Sequence, residues 1–127
     1  DYNVLDGIGV RGEYDLLISN ILTEQAGDPE VFVNQYWKTN VDGSNPQNGS
    51  GYSNPEYDAL SDQLASEFDP AKRRDIIIKM EKIVQDDAAT LIFGYPQTNM
   101  VSNKSVQNAN IYPCDYYWVT KDITPAK

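Results

Sequence analysis

The chain has 127 residues, 40% of them hydrophobic, enough for one domain with a real core and unlike a disordered segment. Nineteen acidic against ten basic residues give a formal net charge of −9, which argues against a nucleic-acid backbone or an anionic membrane surface as partner. Histidine is absent and Cys114 is the single cysteine, so the sequence builds no internal disulfide, no histidine-based metal site and no Ser/His/Asp triad.

The opening twelve residues, with Gly7, Gly9 and Gly12, are assigned no element. Asp1-Tyr2-Asn3 begins no basic or apolar leader, which fits a cytosolic protein or a chain that starts downstream of its true beginning. No apolar run approaches the roughly 20 residues that span a bilayer. Residues 14–22, YDLLISNIL, are apolar and predict a buried strand, and 23–28 form a loop beyond its carboxyl end.

Three Asx-Pro pairs follow: Asp28-Pro29, Asn54-Pro55 and Asp69-Pro70. Asn and Asp accept hydrogen bonds from the unpaired N–H groups of a first helical turn, and proline suits the next position because it has no N–H to leave unpaired. Each pair therefore predicts a helix start. Apolar residues recur behind each at helical spacing: Phe32, Val33, Tyr36 and Trp37 in the first, Tyr57, Leu60, Leu64 and Phe68 in the second. Behind Pro70 come Ile76, Ile77, Met80, Ile83 and Val84. Pro70 disfavours helical geometry at Asp69, so the second and third helices meet in a tight corner.

Between the first two helices lies KTNVDGSNPQNGSGYS, residues 38–53. It is long and polar enough to be functional or mobile. After the third helix, TLIFGY (90–95) predicts a second strand, ended by Pro96. Residues 98–102 suggest a third, and the aromatic 111–119 a fourth or an extended crossing segment. The polar tail 120–127 frays. The expectation is an α/β arrangement, about three helices packed on a small mixed sheet.

Little in this chain speaks of catalysis. Asp86 and Asp87 are neighbours on a helix, so their side chains diverge by about 100° and read as a solvated helix end rather than a dyad. Asp42-Gly43-Ser44-Asn45 lacks the glycine and glutamate of an EF-hand. Cys114 reads as a small buried hydrophobe. Lys72-Arg73-Arg74 falls in the first turn of the third helix, where cations are unfavourable. It reads as a solvated face near Glu67 or Asp69, or as a contact patch for a protein. The nine tyrosines suit core packing or a ligand cleft, each offering an apolar face and one hydrogen bond.

Three stretches in order carry a resemblance: Gly27-Asp28-Pro29-Glu30 behind YDLLIS, then Gly51-Tyr52-Ser53-Asn54-Pro55-Glu56-Tyr57-Asp58-Ala59-Leu60, then Asp69-Pro70-Ala71-Lys72-Arg73 with TLIFGYP beyond. The chain resembles the C-terminal portion of the extracytoplasmic solute-binding proteins of peptide and nickel ABC importers, solute-binding family 5. The resemblance runs from about Glu13 to about Val119. It implies a lobe, or a fragment, of a two-lobed periplasmic-binding-protein-like fold. Residues 1–110 would belong to the second lobe, and 111–127 would return toward the first. It also implies a non-catalytic protein without a cofactor, exported and lipid-anchored in its parent. Its partners would be the ligand, an ABC permease in the membrane and the N-terminal lobe of the same chain.

In such proteins the loop after the YDLLIS-type strand lines the cleft, and peptide binders carry there an Asp that grips the peptide amine, just after a Trp. Counted back from Gly27-Asp28-Pro29, those positions fall on Gln25 and Leu22, with Glu24 one residue away as the available carboxylate. Nickel-type members can use a His on the loop before the Asn-Pro-Glu helix, and this chain has none. Ligands of open α/β sheets sit beyond the carboxyl ends of strands, so the candidate ligand contacts are Asn20, Leu22, Thr23, Glu24, Gln25 and, on the second strand, Tyr95. Glu24 reads as a charge-assisted contact to a ligand ammonium or as a solvated loop charge. The leading expectation is solute capture for ABC import, the ligand an oligopeptide, a dipeptide or a nickel chelate. The alternative is the ligand-binding lobe of an extracytoplasmic sensor or receptor. An α/β hydrolase fragment would need a nucleophile–base pair that the chain lacks.

Overall fold

All three Asx-Pro pairs start helices. Asp28 Oδ1 accepts the Glu30 N–H at 2.9 Å. Asn54 Oδ1 accepts those of Glu56 and Tyr57 at 2.9 and 3.2 Å. Asp69 Oδ1 accepts those of Ala71 and Lys72 at 2.9 and 3.0 Å. The computed structural model describes residues 2–21, 27–95, 97, 99–111 and 120–126. Its helices are α1 (Tyr2–Arg11), α2 (Pro29–Trp37), α3 (Pro55–Ser66) and α4 (Pro70–Asp86). One antiparallel ladder joins β1 (Val106–Gln107) to β2 (Thr124–Pro125), with Val106 opposite Pro125.

Helix α1 was not legible in the sequence, because Gly7 and Gly9 each lower helix propensity by about 1 kcal/mol. Its end is nonetheless well specified. Gly12 takes φ of 66°, its N–H reaches the Gly9 carbonyl at 3.2 Å, and the Glu13 N–H reaches that of Ile8 at 3.2 Å. This pairing closes a helix through a left-handed glycine. A Cβ on Gly49 would collide with the Gly9 carbonyl, so backbone meets backbone there, as only glycine permits.

The chain forms two compact units, Asp1–Leu91 and Ile92–Lys127. In the first, α2, α3 and α4 pack on one another. The core takes Val33 and Trp37 from α2, Tyr57 and Leu64 from α3, and Ile76, Ile77, Met80 and Val84 from α4. Each fully buried side chain of this size contributes about 1.5–3 kcal/mol. Tyr57 is wholly buried, and its hydroxyl donates to the Val33 carbonyl at 2.6 Å, so α3 and α2 share an apolar face and one satisfied polar contact. Phe32 stands edge-on to Trp37 with ring centres 5.1 Å apart, and Trp37 Nε1 donates to Thr90 Oγ1 at 2.9 Å. In the second unit, Ala126 N–H bonds the Ser105 carbonyl at 2.7 Å and extends the short ladder.

The expected sheet is corrected. Among the described residues the fold is mostly helical, with four helices and a two-residue antiparallel ladder in place of three helices on a mixed sheet. Residues 13–21 carry no strand, and Leu16 and Ile18 are 80% and 67% exposed. Residues 89–95 carry none either, and Phe93 is 75% exposed. A strand pairs its backbone only with a neighbouring strand, and the described residues bring none to these segments. The described part of 98–102 likewise carries no strand. Residues 112–119, with Cys114, lie outside the described residues. Phe68, expected on the core stripe of α3, is 87% exposed, because α3 ends at Ser66 and the corner turns it outward. No described helix is long and apolar enough to cross a membrane.

Candidate functional site

The candidate ligand loop is entered from residues 13–21 and left through Gly27 and Asp28. Asn20, at its near end, is exposed in the first unit. Leu22, Thr23, Glu24 and Gln25 lie outside the described residues. Tyr95 belongs to the second unit and is 85% exposed.

The exit of the loop is the best-defined part of this region. Gly27 adopts φ of 73°, which a glycine takes without strain. Asp28 then uses its carboxylate twice. Oδ1 caps α2, and Oδ2 accepts from Arg73 Nη2 at 2.9 Å. The same nitrogen donates to Glu30 Oε2 at 2.8 Å. Arg73 Nη1 donates to the carbonyls of Leu64 and Glu67 at 2.9 and 2.8 Å where α3 ends, the Leu64 carbonyl also accepting the Glu67 N–H at 3.2 Å. One guanidinium thus ties the start of α2, the end of α3 and the start of α4. Its side chain is only 18% exposed. The Glu30 N–H, above all, holds the Asp28 carboxyl below its ordinary range; burial opposes this and Arg73 adds to it. Glu30 and Asp28 in turn raise Arg73.

Of the basic triplet, Arg73 alone turns inward. Lys72 lies 4.0 Å from Glu67 and Arg74 3.9 Å from Asp75, both with largely exposed side chains. The solvated face expected near Glu67 or Asp69 holds for Lys72 and Arg74 but not for Arg73, whose carboxylate partners are Asp28 and Glu30. The available signal was a cation at the unfavourable end of the α4 dipole.

The 38–53 stretch is long yet ordered, because two asparagine amides replace a backbone ladder. Asn48 is buried, donates to the carbonyls of Lys38 and Tyr52 at 3.0 and 2.7 Å, and accepts from the Tyr52 N–H at 3.2 Å. Asn45 Nδ2 donates to the carbonyls of Asn34 and Lys38 at 2.9 and 2.7 Å. Beside them opens a shallow polar recess of about 410 Å³, lined by Asn34, Gln35, Lys38, Thr39, Ser44 and Asn45. The Lys38 ammonium there is held by Asp62 at 2.7 Å, and Thr39 donates N–H and hydroxyl to Asp58 at 2.9 and 2.5 Å. The recess offers hydrogen bonds.

At the far end of α4, the Tyr52 hydroxyl and Asn54 Nδ2 donate to Asp87 Oδ2 at 2.6 and 2.8 Å. The phenol holds the Asp87 carboxyl low. Burial, then the hydrogen bond to Asp87 and its charge, pushes the Tyr52 hydroxyl up to about 12. Asp86 pairs with Lys82 at 2.8 Å, so the two neighbouring acids serve different contacts. Among the described residues no cluster of three or more Cys, Asp or Glu could hold a metal ion.

The chain is similar to the probable D,D-dipeptide-binding periplasmic protein DdpA of Escherichia coli (strain K12), a family 5 solute-binding protein, with 32% identity over 102 residues. That alignment takes in 80% of this chain and 19% of the relative. It bears out the resemblance to solute-binding family 5 read from the sequence. No protein-family model matches the chain, and no solved structure matches it.

Proposed function

We propose that this chain, alike over most of its length to a family 5 solute-binding protein, is part of an extracytoplasmic protein that captures a small peptide and passes it to an ABC permease. The observation that carries this reading is the 32% identity over 102 residues to a protein named for binding D,D-dipeptides. The protein holding this segment is two-lobed, with residues 1–110 in the second lobe and 111–127 returning toward the first. It binds and releases its ligand and catalyses no reaction. The ligand is a dipeptide with a free ammonium group, ahead of longer peptides and of nickel chelates. Glu24 is the carboxylate that meets the ammonium, with Asn20, Leu22, Thr23 and Gln25 as further contacts on the same loop.

The test is a thermal-shift series on the full-length protein with D-alanyl-D-alanine, L-alanyl-L-alanine and longer peptides, beside nickel with small chelators. A ligand at 100 times its Kd adds about 2.7 kcal/mol to stability. A shift with a dipeptide supports the reading, and a shift with chelated nickel alone discards it. Glu24→Gln is expected to weaken binding of free-amine peptides and leave unfolding unchanged. Unchanged affinity in calorimetry would remove Glu24 from the site.

A further inference from the structure

We propose that Asn48-Gly49 is a deamidation site sealed by the fold: the amide survives while the 38–53 loop is closed, and opening exposes it to a conversion that keeps the loop from closing again. Glycine has no side chain to hold its backbone nitrogen away from the amide carbon of the preceding asparagine. Asn48-Gly49 is the one Asn-Gly pair in the sequence. In the reaction the Gly49 nitrogen loses its proton and attacks Asn48 Cγ. A C–N bond forms, the Cγ–Nδ2 bond breaks, and Nδ2 leaves as ammonia with that proton. The cyclic imide then takes up one water. Hydrolysis at Cγ gives aspartate, and hydrolysis at the Asn48 backbone carbonyl gives isoaspartate, whose backbone runs through Cγ. Water is the only co-reactant, and nothing is oxidised or reduced.

The closed loop blocks the first step. Asn48 is 3% exposed. Its Nδ2, the leaving group, donates to the carbonyls of Lys38 and Tyr52 at 3.0 and 2.7 Å. Its Oδ1 accepts from Ser50 Oγ at 2.9 Å and from the Tyr52 N–H at 3.2 Å. Turning Cγ onto the Gly49 nitrogen breaks these four bonds and leaves buried polar groups unpaired. Gly49 is held as well, because its backbone lies directly against the Gly9 carbonyl at the end of α1.

Neither product restores the loop. In aspartate a carboxylate oxygen replaces Nδ2 and faces the Lys38 and Tyr52 carbonyls acceptor to acceptor, in a buried site. Isoaspartate lengthens the backbone by one atom beside Gly49, where even a Cβ would collide with Gly9. Asn45 Nδ2 donates to the same Lys38 carbonyl, so the change reaches the lining of the polar recess. One covalent event thus turns a transient opening into a lasting one.

The test follows the Asn48 amide in the full-length protein at mildly alkaline pH, folded and in guanidinium chloride. Peptide mass spectrometry separates asparagine, aspartate and isoaspartate. The expected result is conversion in denaturant and conversion slower by at least about tenfold in the folded protein, where it waits on local opening. Asn45→Ala removes the neighbouring amide and leaves residues 48 and 49 as they are. It should speed the folded reaction severalfold and leave the denatured rate unchanged. Hydrogen exchange on Asn48→Asp, and on wild type aged until deamidated, should show lost protection across 38–53. Equal rates in the folded and denatured protein, or no conversion in denaturant, would overturn the sealed site. So would a wild-type folded rate in Asn45→Ala. Wild-type protection of 38–53 in the aged protein would overturn the lasting opening, whether or not Asn48→Asp folds.

Discussion

The α3–α4 hairpin ends in two very different junctions. At one end a cation, Arg73, sits in the first turn of α4, and at the other an anion, Asp87, caps its last. Both signs are wrong for the dipole of α4, which favours anions at its start and cations at its finish. Each is repaired from outside the helix. Arg73 is neutralised by Asp28 and Glu30 and collects two carbonyls at the end of α3. Asp87 receives the Tyr52 phenol and the Asn54 amide, the latter from the residue that caps α3. Charges that offend a local rule mark the places where this chain closes on itself. The arginine end uses charge and joins three helices. The tyrosine end uses neutral donors and joins two.

Breaking the arginine end should have the larger effect. Arg73→Met takes the guanidinium from the Glu30 carboxylate and the Glu67 carbonyl and leaves Asp28 and the Leu64 carbonyl with one donor fewer, and the melting temperature should fall by roughly 5–10 °C in a thermal unfolding scan. A loss no greater than that of the tyrosine variant would show that the two junctions are equivalent. At the other end, Tyr52→Phe removes one bond to an exposed carboxylate, and the expected fall is about 2–4 °C.

The pH profile sharpens the same contrast. Asp28 and Asp87 both have carboxyls lowered in the folded state, so the unfolded chain binds protons more readily. Their stabilisation is present above the unfolded value of about 3.9 and is lost as pH falls through the lower folded values. On the alkaline side Tyr52 is raised to about 12, and Tyr57, more deeply buried, is raised further. The Tyr52 contribution is present below pH about 10 and is lost as pH rises toward its folded value. An absorbance titration of tyrosinate should therefore show a phase near 12 that Tyr52→Phe removes. The smallest effect is a gain. Ala88 closes α4 at φ of 50°, where alanine is strained, so Ala88→Gly should stabilise by about 1 kcal/mol in denaturant unfolding.

The candidate site was less legible than the helices around it. Glu24 and Gln25 follow only from their distance to Gly27-Asp28-Pro29 within a family pattern, since no local rule marks a loop residue as a ligand contact. Arg73 is an oddity of charge in the sequence, but its carboxylate partners lie 43 and 45 residues away and leave no periodic signal. Asn48 looked like one more polar residue of a long loop, and its burial depends on the carbonyls of Lys38 and Tyr52 coming together around it.

The amino-acid sequence by itself determined the three Asx-Pro helices and most of the buried stripe, from Val33 and Trp37 to Met80 and Val84. A cap and its helix lie within three residues of one another, and helical backbone bonds close within a single turn. Tertiary structure decided the rest. It turned Phe68 outward at the corner, let α1 form despite its glycines with Gly9 against Gly49, and gave Arg73 and Asp87 their partners. It also left 13–21 and 89–95 without strands among the described residues. Apolar runs such as YDLLIS and TLIFGY encode the capacity to pair, but a strand exists only where another supplies its hydrogen bonds.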